Sequence, residues 1–315
     1  MADMIKIIKK LLKKIPIVHS LVDRRKYKKK LDVRTLPLEK RIELMLNKYQ
    51  ARLGYRMDIN HPVTYTEKMQ WYKAFYIGDG HLERIVDKVL FKQYVKEKIG
   101  EEYTVPLIGF WTDIESLEND WDQLPEEFCL KSNVQCEGKW IEFIHNKSKI
   151  KFKSKKKEWS KWFLPKLTLI NSFAQAYRNC IPKILAEQYL ENVKNQLYDY
   201  KVFCFDGQPF CIESAMERFE GGIPIFTFYD LDWNKLDVTS GNHPNKDIPK
   251  PFHLSEMLSV AKKLSEGFPH VRVDFFDTSE HLYVAEMTLY TGGGYSKYTP
   301  QSFNRKMGDL FKLPI

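Results

Sequence analysis

Apolar residues recur along most of the chain at helical or at strand spacing, and the two kinds of segment alternate. Apolar positions three and four residues apart predict helices, whereas short runs rich in branched and aromatic residues predict strands. The predicted helices cover residues 39–52, 66–76, 83–98, 155–163, 254–266 and 303–312. The predicted strands cover residues 104–110, 127–132, 140–145, 183–188, 200–206, 209–214, 224–230, 270–276 and 281–288.

Turn residues indicate how some of these strands pair. Asp206-Gly207 separates the runs VFCF and PFCIES, which is typical of an antiparallel hairpin. A sheet that contains such hairpins is not uniformly parallel. We therefore predict an α+β fold in more than one layer, and 315 residues are enough for about two domains.

Positive charge is concentrated at the N-terminal end. The net charge of the chain is +9, and residues 1–30 contain eleven Lys or Arg against two Asp, so this segment carries all of it. The neutral remainder argues against nucleic acid as a partner. Five cysteines are an odd number, and the first apolar stretch is interrupted by lysines and does not form a cleavable signal peptide. We therefore expect reduced thiols and a cytoplasmic protein.

Residues 1–30 are predicted to form a basic amphipathic helix at a membrane surface. Ile5, Ile8, Leu12 and Ile15 recur at helical spacing, and lysines cover the other faces. Such a helix places its apolar side chains toward acyl chains and its lysines toward anionic headgroups. The alternative is a helix that packs on the protein itself or on a partner and keeps its basic face in water. No apolar run reaches the ~20 residues of a membrane span.

The segment VRVDFFDTSEHLYVAEMTLYTGGG carries the strongest indication of chemistry. It predicts two strands and a turn, with Arg272, Asp274, Glu286 and Thr288 on one face, because residues two apart on a strand point the same way. Neighbouring carboxylates repel unless a cation separates them, and such oxygen ligands suit Mg²⁺. The arginine could balance charge on a reacting oxygen. The alternative is a surface hairpin with cross-strand ion pairs.

Two lysines and two glutamates add a possible nucleotide site. Lys131 ends an apolar strand and Lys88 begins a helix, where each could bind phosphate as a point charge. The alternative is that both simply extend into water. In KILAEQYLENV, Glu187 and Glu191 could accept from an adenine amine and a ribose, although spacing alone does not establish these roles.

Eight segments in a fixed order carry a family resemblance. They are HPVTYTEKMQWYK (61–73), the DK pair at 87–88, EEFCLKSN (126–133), ILAEQYL (184–190), DYKVFCFDG (199–207), YDLDWNKLD (229–237), FPHVRVDFFD (268–277) and AEMTLYTGGGYSKYTP (285–300). Together they resemble the TupA-like ATP-grasp family of bacterial surface (capsular or teichuronopeptide-type) polysaccharide biosynthesis. The resemblance extends over most of the chain.

The resemblance implies an ATP-grasp fold, in which two α+β subdomains clamp a nucleotide. Its implied divisions are a membrane-surface helix (1–30), an N-terminal α/β region (31–125), a lid subdomain (126–190) and a metal and substrate subdomain (191–315). The implied cofactors are ATP and Mg²⁺. The implied reaction is ATP-dependent ligation, in which a carboxylate forms an acyl phosphate and an amine then displaces phosphate.

The resemblance also implies site roles. Phosphates, adenine and ribose would be bound by Lys88, Lys131, Gly138, Lys139, Glu187, Tyr189, Leu190 and Glu191. Metal ligands would be Asp274, Glu286 and Thr288. Arg272 would steady the oxyanion of a tetrahedral intermediate, and Lys201 is a further phosphate or substrate contact. The acceptor's oxygens would be approached by backbone N–H groups of Gly292, Gly293 and Gly294.

The implied substrates are a polysaccharide and an amine. A uronic-acid carboxylate of a surface polysaccharide, or of its lipid-linked or nucleotide-linked precursor, would be joined to an amino acid or a small amine. Residues 1–30 would then hold the enzyme as a peripheral protein at the inner face of the bacterial membrane, against its anionic surface.

The chain departs from the family pattern in two places. Relatives have N-H-G-S-G-G-N after the phosphate lysine, whereas residues 133–139 read NVQCEGK, and Thr288 stands where the wider fold often has asparagine. These changes leave open an altered substrate site or a non-catalytic scaffold. Another alternative is a sugar-nucleotide glycosyltransferase that uses Asp230 and Asp232 as a DxD motif, although aspartate at a turn is the commoner structural explanation.

Overall fold

The computed structural model describes residues 33–76, 78, 82–134, 140–164, 173, 175–177, 179–190, 198–216, 225–241 and 245–314. The predicted basic helix within residues 1–30 lies outside them. Among the described residues, no helix is both long enough and apolar enough to cross a bilayer.

Helices form the first part of the described chain. They are α1 (Leu38–Leu53), α2 (Tyr65–Phe75), α3 (Glu83–Val86) and α4 (Lys88–Lys98). The sequence predicted one helix over 83–98, but the chain leaves helical geometry at Asp87. The Asp87 carboxylate accepts from the backbone N–H groups of Val89 and Leu90 and so caps α4. This break places Lys88 at the N-terminus of α4.

A smaller antiparallel sheet follows. Its strands are β1 (Leu107–Trp111), β2 (Phe128–Ser132), β3 (Ile141–Ile144) and β4 (Ile184–Glu187), in the order β1-β4-β2-β3. Two helices, α5 (Ile114–Asp120) and α6 (Phe152–Trp159), pack on one face over a core that includes Phe128, Leu130 and Trp159. Because strand residues alternate between faces, Cys129, Lys131 and Glu187 lie on the opposite face.

A larger antiparallel sheet forms the second half. Its strands are β5 (Asp199–Phe205), β6 (Gln208–Met216), β7 (Ile225–Tyr229), β9 (His270–Asp277) and β10 (Leu282–Thr288), in the order β10-β9-β5-β6-β7. Helix α7 (Leu254–Ser265) buries Val260, Ala261 and Leu264 against one face. The other face carries the charged residues of the candidate site.

Two C-terminal elements cover one end of that charged face. A short strand pair joins β8 (Thr239–Ser240) to β11 (Tyr298–Thr299), and the chain ends in α8 (Gln301–Leu310). The buried side chains of Tyr65, His270 and Phe311 pack together at this end, and the Tyr65 hydroxyl lies 2.9 Å from Nε2 of His270. The packing anchors α2 to the larger sheet.

All nine predicted strands are present, with ends within three residues of the prediction. The predicted helix over 155–163 is α6 followed by a 3-10 turn at Ser160–Phe163. Helix α5 and the two-residue strands β8 and β11 were not predicted, because segments this short contain too few apolar positions to show a period.

Candidate active site

Four charged side chains lie in one row across the larger sheet. Glu286 on β10 is opposite Asp274 on β9, Asp274 is opposite Lys201 on β5, and Lys201 is opposite Glu213 on β6. Directly opposite residues of antiparallel strands present their side chains on the same face. The row therefore places two carboxylates, one ammonium and a further carboxylate side by side.

Arg272 and Thr288 form a second row beside the first. They are opposite each other on β9 and β10, so the predicted common face for Arg272, Asp274, Glu286 and Thr288 is confirmed. Arg272 Nε lies 2.7 Å from Asp274 Oδ1 and Nη2 lies 2.5 Å from Oδ2, which is a bidentate pair. Nη2 also donates to the Thr288 hydroxyl at 3.2 Å.

Burial and neighbouring charges set the protonation of the two carboxylates. Burial raises the pKa of Asp274 to about 6, although Arg272 and Lys201 oppose the shift. Enclosure also tends to raise the pKa of Glu286, but the charges of Lys88 and Arg272 outweigh it and lower that pKa to about 2. Lys88 Nζ lies 3.3 Å from Glu286 Oε2, and 37% of the Glu286 side chain remains exposed. Glu286 is therefore ionised and open to the cleft.

Lys201 is a buried ammonium group that makes no hydrogen bond. Its residue is 3% exposed, and Nζ lies 2.7 Å from Asp199 Oδ2 in an ion pair. That contact lacks the angle of a hydrogen bond, and Nζ has no other acceptor among the described residues. A buried ammonium group whose N–H groups lack hydrogen bonds is costly even when an ion pair balances its charge, so the position suits an anionic ligand oxygen.

The lysines on the smaller sheet and on α4 converge on one carboxylate. Glu187 pairs with Lys131 and, at 2.8 Å, with Lys92. Burial tends to raise the pKa of Glu187, but these two lysines outweigh it and lower that pKa. Sequence reasoning missed Lys92, which follows Lys88 by one helical turn on α4. The carboxylate of Glu187 is thus paired with lysines in the described structure, and its role toward adenine stays a prediction.

A set of hydrogen bonds around Asp87 and Asn133 connects the start of α4, where Lys88 lies, to the smaller sheet. Asp87 Oδ2 accepts from Asn133 Nδ2 at 2.8 Å and from Lys183 Nζ at 2.7 Å. Asn133 Oδ1 accepts from the backbone N–H of Lys183, and the Asn133 carbonyl accepts from the backbone N–H of Lys88. Two motif segments therefore meet here beside Lys183, and these hydrogen bonds fix the start of α4 relative to the strands that carry Lys131 and Glu187.

The exposed face of the smaller sheet is aromatic beyond these charges. Phe110 is 48% exposed and Phe143 is 39% exposed. Tyr189 and Leu190 follow β4, and the Tyr189 ring contacts Phe143 and lies 4.8 Å, edge to face, from the His145 ring. This apolar surface beside the lysines is compatible with a planar base. The implied ATP contacts Gly138, Lys139 and Glu191 lie outside the described residues.

The three glycines after β10 form a left-handed turn that is fastened to α2. Their φ values are +55°, +61° and +72°. Gln70 Nε2 donates to the Gly294 carbonyl at 2.7 Å and Lys73 Nζ donates to the Gly293 carbonyl at 2.6 Å. A Cβ at Gly294 would lie 2.4 Å from Gln70 Nε2. The glycines permit this close approach, whereas the implied contact of Gly292, Gly293 and Gly294 with an acceptor stays a prediction.

Comparison with known protein families places the chain in a family. A family model described as TupA-like ATPgrasp matches residues 67–312, which is most of the chain. The chain belongs to the TupA-like ATP-grasp family. Membership confirms the predicted family and the α+β ATP-grasp fold.

Several solved ATP-dependent enzymes are distantly similar to this TupA-like chain. D-alanine–D-alanine ligase from Bacillus anthracis complexed with ATP has 17% identity and a TM-score of 0.43, over 72% of this chain and 64% of that one. The Helicobacter pylori enzyme has 16% identity and a TM-score of 0.42, over 72% and 61%. The TupA-like chain thus spans less than two thirds of these ligases.

A further similar structure is the biotin carboxylase domain of Hydrogenobacter thermophilus 2-oxoglutarate carboxylase with MgADP and bicarbonate. It has 15% identity and a TM-score of 0.41, over 74% of this chain and 47% of that one. A comparison with curated proteins finds no match. The family match, and not these distant similarities, carries the assignment.

The donor set of the TupA-like chain fits the cofactors of its family. No group of three or more His, Cys, Asp or Glu side chains suited to a metal occurs among the described residues. Asp274, Glu286 and the Thr288 hydroxyl are nevertheless adjacent, and Mg²⁺ commonly binds one or two protein carboxylates and completes its shell with water and phosphate oxygens. The buried ammonium of Lys201, which pairs with Asp199 but makes no hydrogen bond among the described residues, supplies a matching site for an anion.

The DxD segment has a structural role in the described turn. Asp230 Oδ1 accepts from the backbone N–H groups of Asp232 and Asn234, at 3.0 and 2.7 Å, and Oδ2 accepts from Asn234 Nδ2 at 2.9 Å. These bonds stabilise the turn after β7 and occupy both oxygens of Asp230. No observation in this segment favours a metal-bound diphosphate.

Two buried site residues were missed by sequence reasoning. Glu213 and Asp199 are 7% and 6% exposed, and both adjoin Lys201. The available signal was an acidic residue within an otherwise apolar strand, since QPFCIESAM has one carboxylate. An acid in a buried strand requires a partner, but the sequence alone does not identify it.

Proposed function

We propose that the chain is an ATP-dependent ligase that forms an amide between a carboxylate and an amine. The observation that carries the proposal is the row of Glu286, Asp274 and Lys201, with Arg272 paired to Asp274. Two carboxylates suited to a metal thus adjoin a buried ammonium group without a hydrogen-bond acceptor. This arrangement suits a reaction in which phosphate oxygens are neutralised and moved.

Each residue has a distinct task in the proposed reaction. When bound, ATP would supply the phosphoryl group that activates the carboxylate, and Mg²⁺ would neutralise phosphate oxygens. Asp274, Glu286 and Thr288 are the residues that would hold the metal. Lys88 and Lys131 would bind phosphate oxygens as point charges. The face of the smaller sheet that carries Lys131 would exclude water from the activated carboxylate.

Arg272 and Lys201 would act on the reacting groups themselves. The guanidinium would stabilise negative charge on the carbonyl oxygen as the amine attacks, because a fixed cation in a buried site interacts strongly with developing charge. The ammonium of Lys201 would bind a phosphate or carboxylate oxygen, which gives it a hydrogen bond in addition to its ion pair with Asp199.

We further propose the biological substrates. The carboxylate would belong to a uronic acid of a surface polysaccharide or its precursor, and the amine would be an amino acid or a small amine. The resemblance to polysaccharide-synthesis proteins supports the first choice. The eleven basic residues within residues 1–30 support a peripheral location at the inner face of the bacterial membrane, where such precursors are assembled.

Calorimetric titration tests the nucleotide site. The full chain is titrated with a non-hydrolysable ATP analogue and Mg²⁺, and in parallel with UDP-sugars. We expect saturable binding of the analogue that falls at least about tenfold in Asp274→Asn, since each 1.4 kcal/mol of lost binding energy is a factor of ten. The matched control, Asp232→Asn, should bind like the wild type. Binding of a UDP-sugar alone would indicate a glycosyltransferase, and no binding at all would indicate a scaffold.

A further inference from the structure

Glu213 occupies the end of the charged row that the proposed ATP and metal contacts leave unused. It lies on β6, next to Lys201 and two strands away from Asp274. The residue is 7% exposed. No step assigned above to the nucleotide or the metal requires a carboxylate here.

Ion pairing within the site engages the neighbouring cations mainly with other carboxylates and leaves Glu213 one long ion pair. Arg272 makes its bidentate contact with Asp274, and Lys201 lies 2.7 Å from Asp199. The cation nearest to Glu213 is Arg272, with Nη1 at 3.9 Å from Oε2. Glu213 makes no hydrogen bond with any part of the chain that the structure describes. A carboxylate that is nine-tenths buried and not hydrogen-bonded needs a cationic donor.

Two tyrosines whose pKa values respond to Glu213 are neutral. Burial, Tyr65 and Glu213 itself raise the pKa of the Tyr298 phenol well above its ordinary value. Burial and the charge of Glu213 also raise the pKa of Tyr65. Both phenols therefore stay protonated and uncharged.

We propose that Glu213 binds the ammonium group of the amine substrate. The inference rests on the proposed ligase function and names a binding site for its amine substrate. The ammonium must lose one proton before its nitrogen can attack, and the Glu213 carboxylate is the acceptor beside it. A primary amine is an ammonium ion at neutral pH, and it can donate charge-assisted hydrogen bonds to a carboxylate. Because Glu213 Oε2 lies 3.9 Å from Arg272 Nη1, a nitrogen bound to Glu213 would lie near the guanidinium proposed to stabilise the reacting carbonyl oxygen. The class of amine is a primary amine that is positively charged in solution, which includes amino acids.

The test measures binding of amines to the full chain already saturated with the ATP analogue and Mg²⁺. Amino acids, ethanolamine and putrescine are titrated one at a time, together with the N-acetyl derivative of each amine that binds. We expect at least one amine to bind to the wild type and its N-acetyl derivative not to bind. In Glu213→Gln its affinity should fall at least about tenfold. Glu280→Gln, an exposed glutamate at the β9–β10 turn, is the matched control and should bind normally.

The outcomes separate this site from the nucleotide site. Glu213→Gln should retain the wild-type affinity for the ATP analogue, since no phosphate contact is assigned to it. Unchanged amine affinity in Glu213→Gln would overturn the proposal, as would a wild type that binds the analogue but none of the amines. Loss of analogue binding in Glu213→Gln would also overturn it, because Glu213 would then serve only to position Arg272. A wild type that fails to bind the analogue would contradict the ligase function itself.

Discussion

At the scale of single residues, burial decides how the charged groups behave. Asp274, Lys201 and Glu213 are each at most 7% exposed, yet they carry charges that water would otherwise stabilise. Each charge therefore depends on a fixed neighbour or on a ligand. Cys129, on the same face of β2 as Lys131, instead stays uncharged at neutral pH. Desolvation raises the pKa of its thiol to about 12, even though Lys131 and Lys92 oppose the shift.

Cys129 should therefore react slowly with iodoacetamide. The reactive species is the thiolate, and a pKa raised from 9.0 to about 12 lowers the thiolate fraction near pH 8 by on the order of 10³-fold. The rate should rise about tenfold for each unit of pH between 7 and 9. Peptide mapping by mass spectrometry measures it, with the urea-unfolded chain as control. Equal rates in the folded and unfolded chains would contradict the raised pKa of this thiol.

At the scale of elements, hydrogen bonds hold the glycine turn close to α2, and this close approach restricts which residues the turn can contain. Helix α2 donates to two carbonyls of the turn through Gln70 and Lys73. Lys73 is buried, and burial lowers its pKa well below the ordinary value. The motif TEKMQWYK thus has a structural role, which is to hold the turn that follows β10.

Alanine at two adjacent glycines should have different effects on stability. Both residues have positive φ, so each substitution strains the backbone by about 1–2 kcal/mol. At Gly294 the new Cβ would also lie 2.7 Å from Met69 Cγ, whereas at Gly293 the nearest atom is 3.3 Å away in the Tyr295 ring. Gly294→Ala should therefore lower the free energy of unfolding by about 1–3 kcal/mol more than Gly293→Ala. Urea unfolding measures the difference, and equal losses would contradict the close approach of α2.

What the sequence could predict also depends on the element. The hairpin of β9 and β10 is local, so alternation alone placed Arg272, Asp274, Glu286 and Thr288 on one face. The pairing of β5 with β9 joins residues about 70 positions apart, as Lys201 with Asp274, and no local pattern encodes that register. The position of Glu213 in the site depends on the register of the same sheet, so sequence reasoning missed this residue as well. The break at Asp87 was also missed, because the apolar period continues across it.

At the scale of the whole molecule, positive charge and the proposed chemistry are separated along the chain. Residues 1–30 carry the net charge, while the family match covers residues 67–312. A basic segment of this kind is expected to bind an anionic membrane with about 1 kcal/mol for each Lys or Arg near the surface. The proposed ligase would then be held beside membrane-bound substrates by this segment alone, and the rest of the chain would not need a positive net charge.

Deletion of residues 1–30 should release the chain from anionic vesicles. In sedimentation with vesicles that contain phosphatidylserine, we expect the full chain to pellet and the shortened chain to stay in the supernatant. Binding of the full chain should weaken as salt rises, because the Debye length is about 10 Å at 0.1 M and shortens further above that. Vesicles of phosphatidylcholine alone are the control. An unchanged bound fraction after deletion would show that the membrane contact lies elsewhere.

The most direct measurement of the ligase proposal follows an oxygen atom. The full chain is incubated with ATP, Mg²⁺, amines and uronic acids labelled with oxygen-18 in the carboxylate, and the released phosphate is analysed by mass spectrometry. If the carboxylate is phosphorylated before the amine attacks, each phosphate released with an amide carries one labelled oxygen. Amide formation with unlabelled phosphate, or consumption of ATP that needs neither carboxylate nor amine, would contradict the account.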